Sequence, residues 1–493
     1  MLRNPPPHLP LSGILTASLL GLFILFSAAP PAHAQVDAAP GSALLSYDIA
    51  EAGLDGRAWY VSPEGDDAGP GTADAPLATL QAAADRVQPG QSILLLDGTH
   101  TEGGDDVALM ALTTSGTPDA WIRIAPAPDA APEIRFDRLR ALVLKGVSHV
   151  LVEGLHIVGV APELDRREAR AFAEAFDGTD YTETKWFGVG IRLDPDDPPA
   201  EPDAAAEVAG FPHHIILRDN VIHDCPGSGI ATARADYLLI QGNTVYRNGF
   251  YSPWGESGIS VWESGNVDDR TDVYRTVIRD NVCFANDNRV IFWIMKKETD
   301  GNGIILDALK TNQGIAAGTY AEPYSGRILV ANNRCWFNGG RGVNIFEADH
   351  ADVVHNTLYR NAQRGNVDNE IELGRAEHNR IFNNLIVVEP GKQAIGGYSS
   401  PNNAIDFNGI AGSTAGSFPY GENSLEDRPR FMKPPNRGTA RRGDAWRAVD
   451  LRLRPNSPGL GAGAAAYALP EDAAGKPRDV AAPNLGALAG SGS

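Results

Sequence analysis

The chain has 493 residues, 43% hydrophobic and 21% charged, with 53 glycines and 35 prolines, a composition that excludes a disordered polymer and describes a turn-rich globular chain with a sizeable core. Its formal charge of −20 excludes nucleic acid and anionic membrane as partners, because both would be repelled over most of the surface. The same charge would repel an acidic polysaccharide unless local cations or a bound divalent metal reverse the field at the site.

Residues 1–34 carry one basic residue, Arg3, an apolar run over 14–26, and the small-residue site Ala32-His33-Ala34 ahead of Gln35. This pattern predicts a signal peptide and export to the periplasm or the medium, with an uncleaved N-terminal anchor as the alternative. No later stretch approaches the roughly 20 apolar residues of a membrane span, so the mature chain is expected free of the membrane and monomeric. Residues 35–139 are expected to form an N-terminal cap and the first coils of the next region.

From 140 to 410 the chain repeats itself. Asp-Asn-Val-Ile-His at 219–223 returns as Gly-Asn-Thr-Val-Tyr at 242–246, Asp-Asn-Val-Cys-Phe at 280–284, Asn-Asn-Arg-Cys-Trp at 332–336, His-Asn-Thr-Leu-Tyr at 355–359 and Asn-Asn-Leu-Ile-Val at 383–387. The shared asparagine stands at 220, 243, 281, 333, 356 and 384, spacings of 23, 38, 52, 23 and 28, which is a 23-residue unit with insertions. A period this short is one turn of a solenoid. A strand precedes each asparagine, a strand follows it, and a third begins near 229, 258, 303, 342 and 370. Parallel strands about 4.8 Å apart would stack the asparagines into a ladder of side-chain amides. The three cysteines are too few for a disulfide framework, and Cys283 and Cys335 share one register, which predicts stacked core thiols.

The asparagine turn and three-strand coil resemble the pectate-lyase-like right-handed parallel β-helix superfamily. The opening Tyr60-Val-Ser-Pro-Glu-Gly-Asp-Asp, with Pro89-Gly-Gln-Ser-Ile-Leu-Leu-Leu-Asp-Gly, is similar to the start of many secreted members, and Leu451-Arg-Leu-Arg-Pro-Asn-Ser-Pro is similar to their closing segment. The resemblance implies an all-β three-sheet solenoid, a capping helix over 80–87 and a C-terminal capping segment over 411–493. Physics also demands caps, since an open coil exposes strand edges and core.

Insertions locate the site. Both gaps that exceed the short unit fall on the same two coils, so loops 249–257 and 286–301 are expected as one wall and loops 264–274 and 309–325 as the other. Strand alternation sends Ile230, Ile259, Ile304 and Val343 inward. It sends Trp262, Asp307, Phe346 and Asn344 outward, and the column Gly229, Gly258, Gly303, Gly342 and Glu370 outward as a groove floor. Asp307 between Trp262 and Phe346 suits sugar rings stacked beside a carboxylate, with Glu263 and Arg341 as further substrate contacts. The segment from Lys296 to Asp307 holds Lys296, Lys297, Asp300 and Asn302 and is followed by Lys310. A uronate cleaved by β-elimination needs its carboxylate neutralised and a base at the adjacent proton, which gives the three lysines and Asp307 catalytic roles. Calcium, if used, would take oxygen ligands from Asp300, Asn302 and Asp307.

In the calcium-dependent lyases of the superfamily the catalytic lysine follows a Gly-x-Gly-apolar motif. The matching positions here are Ile305 and Asn344, so any lysine base must come from a loop. Two other readings stay open. One is a glycoside hydrolase using two carboxylates among Glu256, Glu263, Asp300, Asp307 and Glu347. The other is a non-catalytic glycan-binding surface protein.

Overall fold

The computed structural model describes residues 57–105, 107–196, 210–310, 323–414, 416–441 and 443–490. The expected signal segment lies outside them.

The short strands pair in parallel with their counterparts one coil before and after. They build sheets of eleven strands, from Ala58–Val61 to Ala404–Asp406, of nine, from Ala108–Leu112 to Gln393–Tyr398, and of ten, from Thr99–His100 to Gly409–Ala411. From Ala108 onward each strand's neighbour is the third strand further along the chain, the winding of a right-handed parallel β-helix. The three-sheet coil expected from the pectate-lyase-like resemblance is therefore the fold.

The turn chemistry explains the repeated motif. In every coil the residue before the ladder asparagine is left-handed, with φ between 56° and 70° at Asp219, Gly242, Asp280, Asn332, His355 and Asn383. Asp, Asn and Gly tolerate that conformation best, hence the recurring Asp-Asn, Gly-Asn and Asn-Asn pairs. Each ladder asparagine then donates its amide to the carbonyl oxygen of the next, at 3.0 Å for every step from Asn220 through Asn384 to Asn408.

Inside, Ile230, Ile259, Ile304, Val343 and Ile371 lie in register and are fully buried, each worth about 2 kcal/mol of apolar transfer. Cys283 and Cys335 are register partners, buried and unbridged.

The ends depart from expectation in detail. The first helix spans Leu80–Ala84, ending before the expected residue 87, because Arg86 already bonds back to Ala83 in a tighter turn ahead of Pro89. Its Leu80, Ala83 and Ala84 pack into the first coils beside Val61 and Ile93. Of the segment expected as a C-terminal cap, Phe418 and Tyr420 pack on the last coils. Of the rest, Leu451, Leu453, Leu485 and Leu488 cover the outward stack of Tyr246, Phe284 and Trp336 on the ten-stranded sheet, and Tyr467 and Leu469 pack on the eleven-stranded sheet beside Phe382 and Tyr274. An outward row of large rings needs a cover, and the tail supplies it.

Candidate functional site

The groove floor is the outer face of the nine-stranded sheet. Its register sets Ala231, Ser260, Ile305, Asn344 and Glu372 in one row and Ala233, Trp262, Asp307, Phe346 and Gly374 in the next. The residues between them face the core, so Trp262, Asp307 and Phe346 are outward and half-buried. Asn344 is buried at the floor, and its Oδ1 has no hydrogen-bond partner.

Loops 249–257 and 286–301 do form one wall. Backbone bonds run from Asp287 to Asn248, Arg289 to Phe250, Trp293 to Pro253 and Gly301 to Glu256, all between 2.9 and 3.0 Å. Trp254 and Trp293 meet edge to face at 5.6 Å. Helix Arg166–Ala175, in an insertion ahead of the first regular asparagine, joins the same cluster through Ala169 and Ala173. Across the groove Asn266 bonds the carbonyl of Pro323 at 2.9 Å and the backbone amide of Ser325 at 2.9 Å. Part of that expected wall, residues 311–322, lies outside the described residues.

The glycine column is not a floor. A Cβ on Gly258 would come within 2.6 Å of Asn286 Nδ2, and one on Gly342 within 2.9 Å of Asn361 Nδ2. These glycines face inward at a corner, against a second asparagine ladder of Asn248, Asn286, Asn338 and Asn361. Strict alternation fails there because the chain bends between the turn and the strand. Glu370, expected outward, is likewise fully buried and accepts a bond from Asn361.

Charge gathers at the other end of the strands. Glu263 and Glu347 follow Trp262 and Phe346 in left-handed turns, at φ 45° and 48°, on either side of Asp307. Arg234 stands 3.5 Å from Glu263, Arg375 pairs with Glu347, and the Arg375 guanidinium lies over the Phe346 ring at 4.9 Å. Burial, then the charges of Asp300, Glu347 and Glu263, hold the Asp307 carboxyl well above the ordinary range. Burial pushes Glu263 up to about 7 against the pull of Arg234. Both oxygens of Glu263 lack a hydrogen bond.

The remaining predicted residues are placed as follows. Asn302 is fully buried with its side chain committed: the amide donates to Ser257 Oγ at 3.0 Å and Oδ1 accepts the Arg341 backbone amide at 2.9 Å. Asp300 accepts Thr299 Oγ1 at 2.7 Å and Asn302 Nδ2 at 3.2 Å. Arg341 pairs with Glu372 and reaches Asn369 at 3.3 Å. Lys296 and Lys297 are exposed in a loop whose Phe292 and Lys297 bridge each other. Lys310 is held by Asp349 at 3.1 Å and Glu377 at 3.7 Å.

Of the expected calcium ligands, Asp300 and Asn302 are hydrogen-bonded within the protein. The amide oxygen of Asn302 is used by the backbone, and the described residues contain no group of three or more His, Cys, Asp or Glu spaced to hold a metal ion.

No known family model matches the chain. A 61-residue stretch is 43% identical to pectate lyase PEL9 of Emericella nidulans, covering 12% of this chain and 14% of that protein. Among solved structures the chain is similar to pectate lyase Pel9A, with TM-score 0.48 and 16% identity over 88% of this chain and 96% of that one. It is also similar to the GH136 lacto-N-biosidase of Eubacterium ramulus, with TM-score 0.43 and 18% identity over 73% of this chain and 56% of that one. An alginate lyase from Paenibacillus sp. str. FPU-7 gives TM-score 0.41 and 13% identity over 76% of this chain and 98% of that one.

Sequence reasoning named Arg341 and missed the other arginines. Arg234 and Arg375 pair with carboxylates on other coils, Arg192 lies on the same floor further toward the N-terminus, and Arg140 opens the strand beside it, opposite Val189. The long interval between Val158 and Val189, which carries the extra helix, was the available signal.

Proposed function

We propose that the protein is exported and cleaves a uronate-containing polysaccharide by β-elimination in the groove of the nine-stranded sheet. The observation that carries this reading is the cluster around Asp307: an outward carboxyl between two aromatic rings, flanked by Glu263 and Glu347, with Arg234, Arg341 and Arg375 among them. The 61-residue likeness to a pectate lyase supports it.

Elimination needs the sugar carboxylate neutralised, the adjacent proton removed and the leaving oxygen protonated. Arg341 and Arg375 supply cations along the groove. Asp307, whose hold on its proton is strengthened by burial and by its negative neighbours, suits the proton donor, and Glu263, raised to about 7, suits the base. No step is assigned to a metal.

One observation favours a second reading. Two carboxyls on neighbouring strands with raised pKa values also serve a glycoside hydrolase. The test is a screen of pectate, alginate, glucuronan and glycosaminoglycans that follows ultraviolet absorbance and reducing ends together. Elimination creates an absorbing double bond, hydrolysis creates reducing ends alone, and a glycan-binding protein creates neither.

A further inference from the structure

The floor changes character toward the N-terminus. The row of Ile305 runs back through Ser260 and Ala231 to Arg192, three strands away, and the next strand back, Arg140–Lys145, sets Val143 beside Arg192 and opens with Arg140 opposite Val189. At the strand spacing, three steps make about 14 Å, within reach of one oligosaccharide bound at Asp307.

Arg140 is half-buried at the foot of the wall, and among the described residues it forms no ion pair; its Nη1 donates only to the neighbouring Leu139 carbonyl, at 2.9 Å. Burial and the charge of Arg192 lower it to about 10, with Asp194, Glu256 and Tyr181 the other charged or titratable groups facing it. Neither carboxylate neutralises it directly. Asp194 is taken by Arg192 at 2.6 Å, and Glu256 accepts a bond from Ser228. Tyr181 remains 39% exposed, braced by Phe187 at 5.0 Å and Phe176 at 5.8 Å between ring centroids. Arg192 has Asp194 as its partner, which leaves Arg140 as the guanidinium without an ion pair among the described residues, and a planar carboxylate matches its fork.

We propose that Arg140, Arg192 and Tyr181 form a carboxylate-binding subsite, so that the groove selects oligosaccharides bearing an acidic sugar three strands from Asp307. The inference rests on the reading that the groove takes an acidic polysaccharide, and it adds where a second negative charge is held.

The test is calorimetric binding to the full-length Asp307→Asn protein, which separates affinity from turnover. The probes are hexasaccharides of galacturonate, mannuronate, guluronate and glucuronate, with cellohexaose as the neutral control and the matching disaccharides as short controls. At least one acidic hexamer is expected to bind. Arg192→Gln and Arg140→Gln should each weaken it about tenfold or more, Arg192→Lys less, and disaccharide binding at Asp307 should change little. Because Arg140 is partly buried, thermal melting must show each variant folded, and Arg192→Gln with Tyr181→Phe suffices if Arg140→Gln does not fold. Hexamer binding unchanged in folded Arg192→Gln overturns the subsite and leaves the proposed function standing. Binding of cellohexaose alone, or of no acidic hexamer, overturns both.

Discussion

The side-chain amide of Asn361 donates to Oε2 of Glu370 across 2.7 Å, so the second asparagine ladder ends on an acid rather than on another amide. Glu370 is fully buried, its Oε1 has no partner, and burial pushes it up to about 8. The folded protein therefore holds a proton that the unfolded chain releases near 4.5. Stability from this group is complete below that value and is lost as pH rises toward and through about 8. Glu370→Gln keeps an acceptor for Asn361 and removes the titration. Denaturant midpoints should be near wild type at about pH 5 and higher than wild type at about pH 9; equal slopes of stability with pH in both proteins would contradict this.

Asn281 tests the first ladder. Its Oδ1 accepts the backbone and side-chain amides of Asn243 at 2.9 and 3.0 Å, and its Nδ2 donates to the Ile240 carbonyl at 2.9 Å and to Asn333 at 3.0 Å. Asn281→Ala strands several buried groups and should cost about 3 kcal/mol or more, read by chemical denaturation. Asn281→Asp keeps the acceptors but buries a charge, and should be worse at neutral than at acid pH.

The raised proton affinity of Asp307 should appear in the rate. With Asp307 as donor, kcat/KM falls as pH rises, and Glu347→Gln, by removing one repelling charge, lowers the Asp307 pKa and moves that falling limb to lower pH. Asp307→Asn should reduce turnover by about two orders of magnitude or more with the fold intact. A falling limb that stays in place in Glu347→Gln would detach Asp307 from the step that limits the rate.

The lysines give a sharp contrast. Lys296 and Lys297 are exposed, and Lys310 is held in an ion pair with Asp349, so none stands beside Asp307 in the groove cluster. The Lys296→Ala, Lys297→Ala double variant should retain activity within about twofold and stability within about 0.5 kcal/mol. A large loss of kcat with unchanged melting would restore a lysine to the chemistry.

The sequence by itself determined the solenoid, the ladder from Asn220 to Asn384, and the register that places Trp262, Asp307 and Phe346 on one outward row. Each follows from a short period acting on stacked identical units, where one local rule repeats in every coil. The second ladder was equally periodic, five residues after the first, but its asparagines lie past the strand, where no motif marked them. Only the tertiary structure decided which way the corner glycines face, because a bend resets the alternation that strands obey. It also decided that Glu370 is buried, that Lys310 is paired with Asp349 and Glu377, and that the tail covers the ring stack of Tyr246, Phe284 and Trp336. The grouping of Arg140, Arg192 and Tyr181 belongs there too: their meeting depends on how an insertion folds over neighbouring coils, and insertion length carries no information about which side chains it brings together.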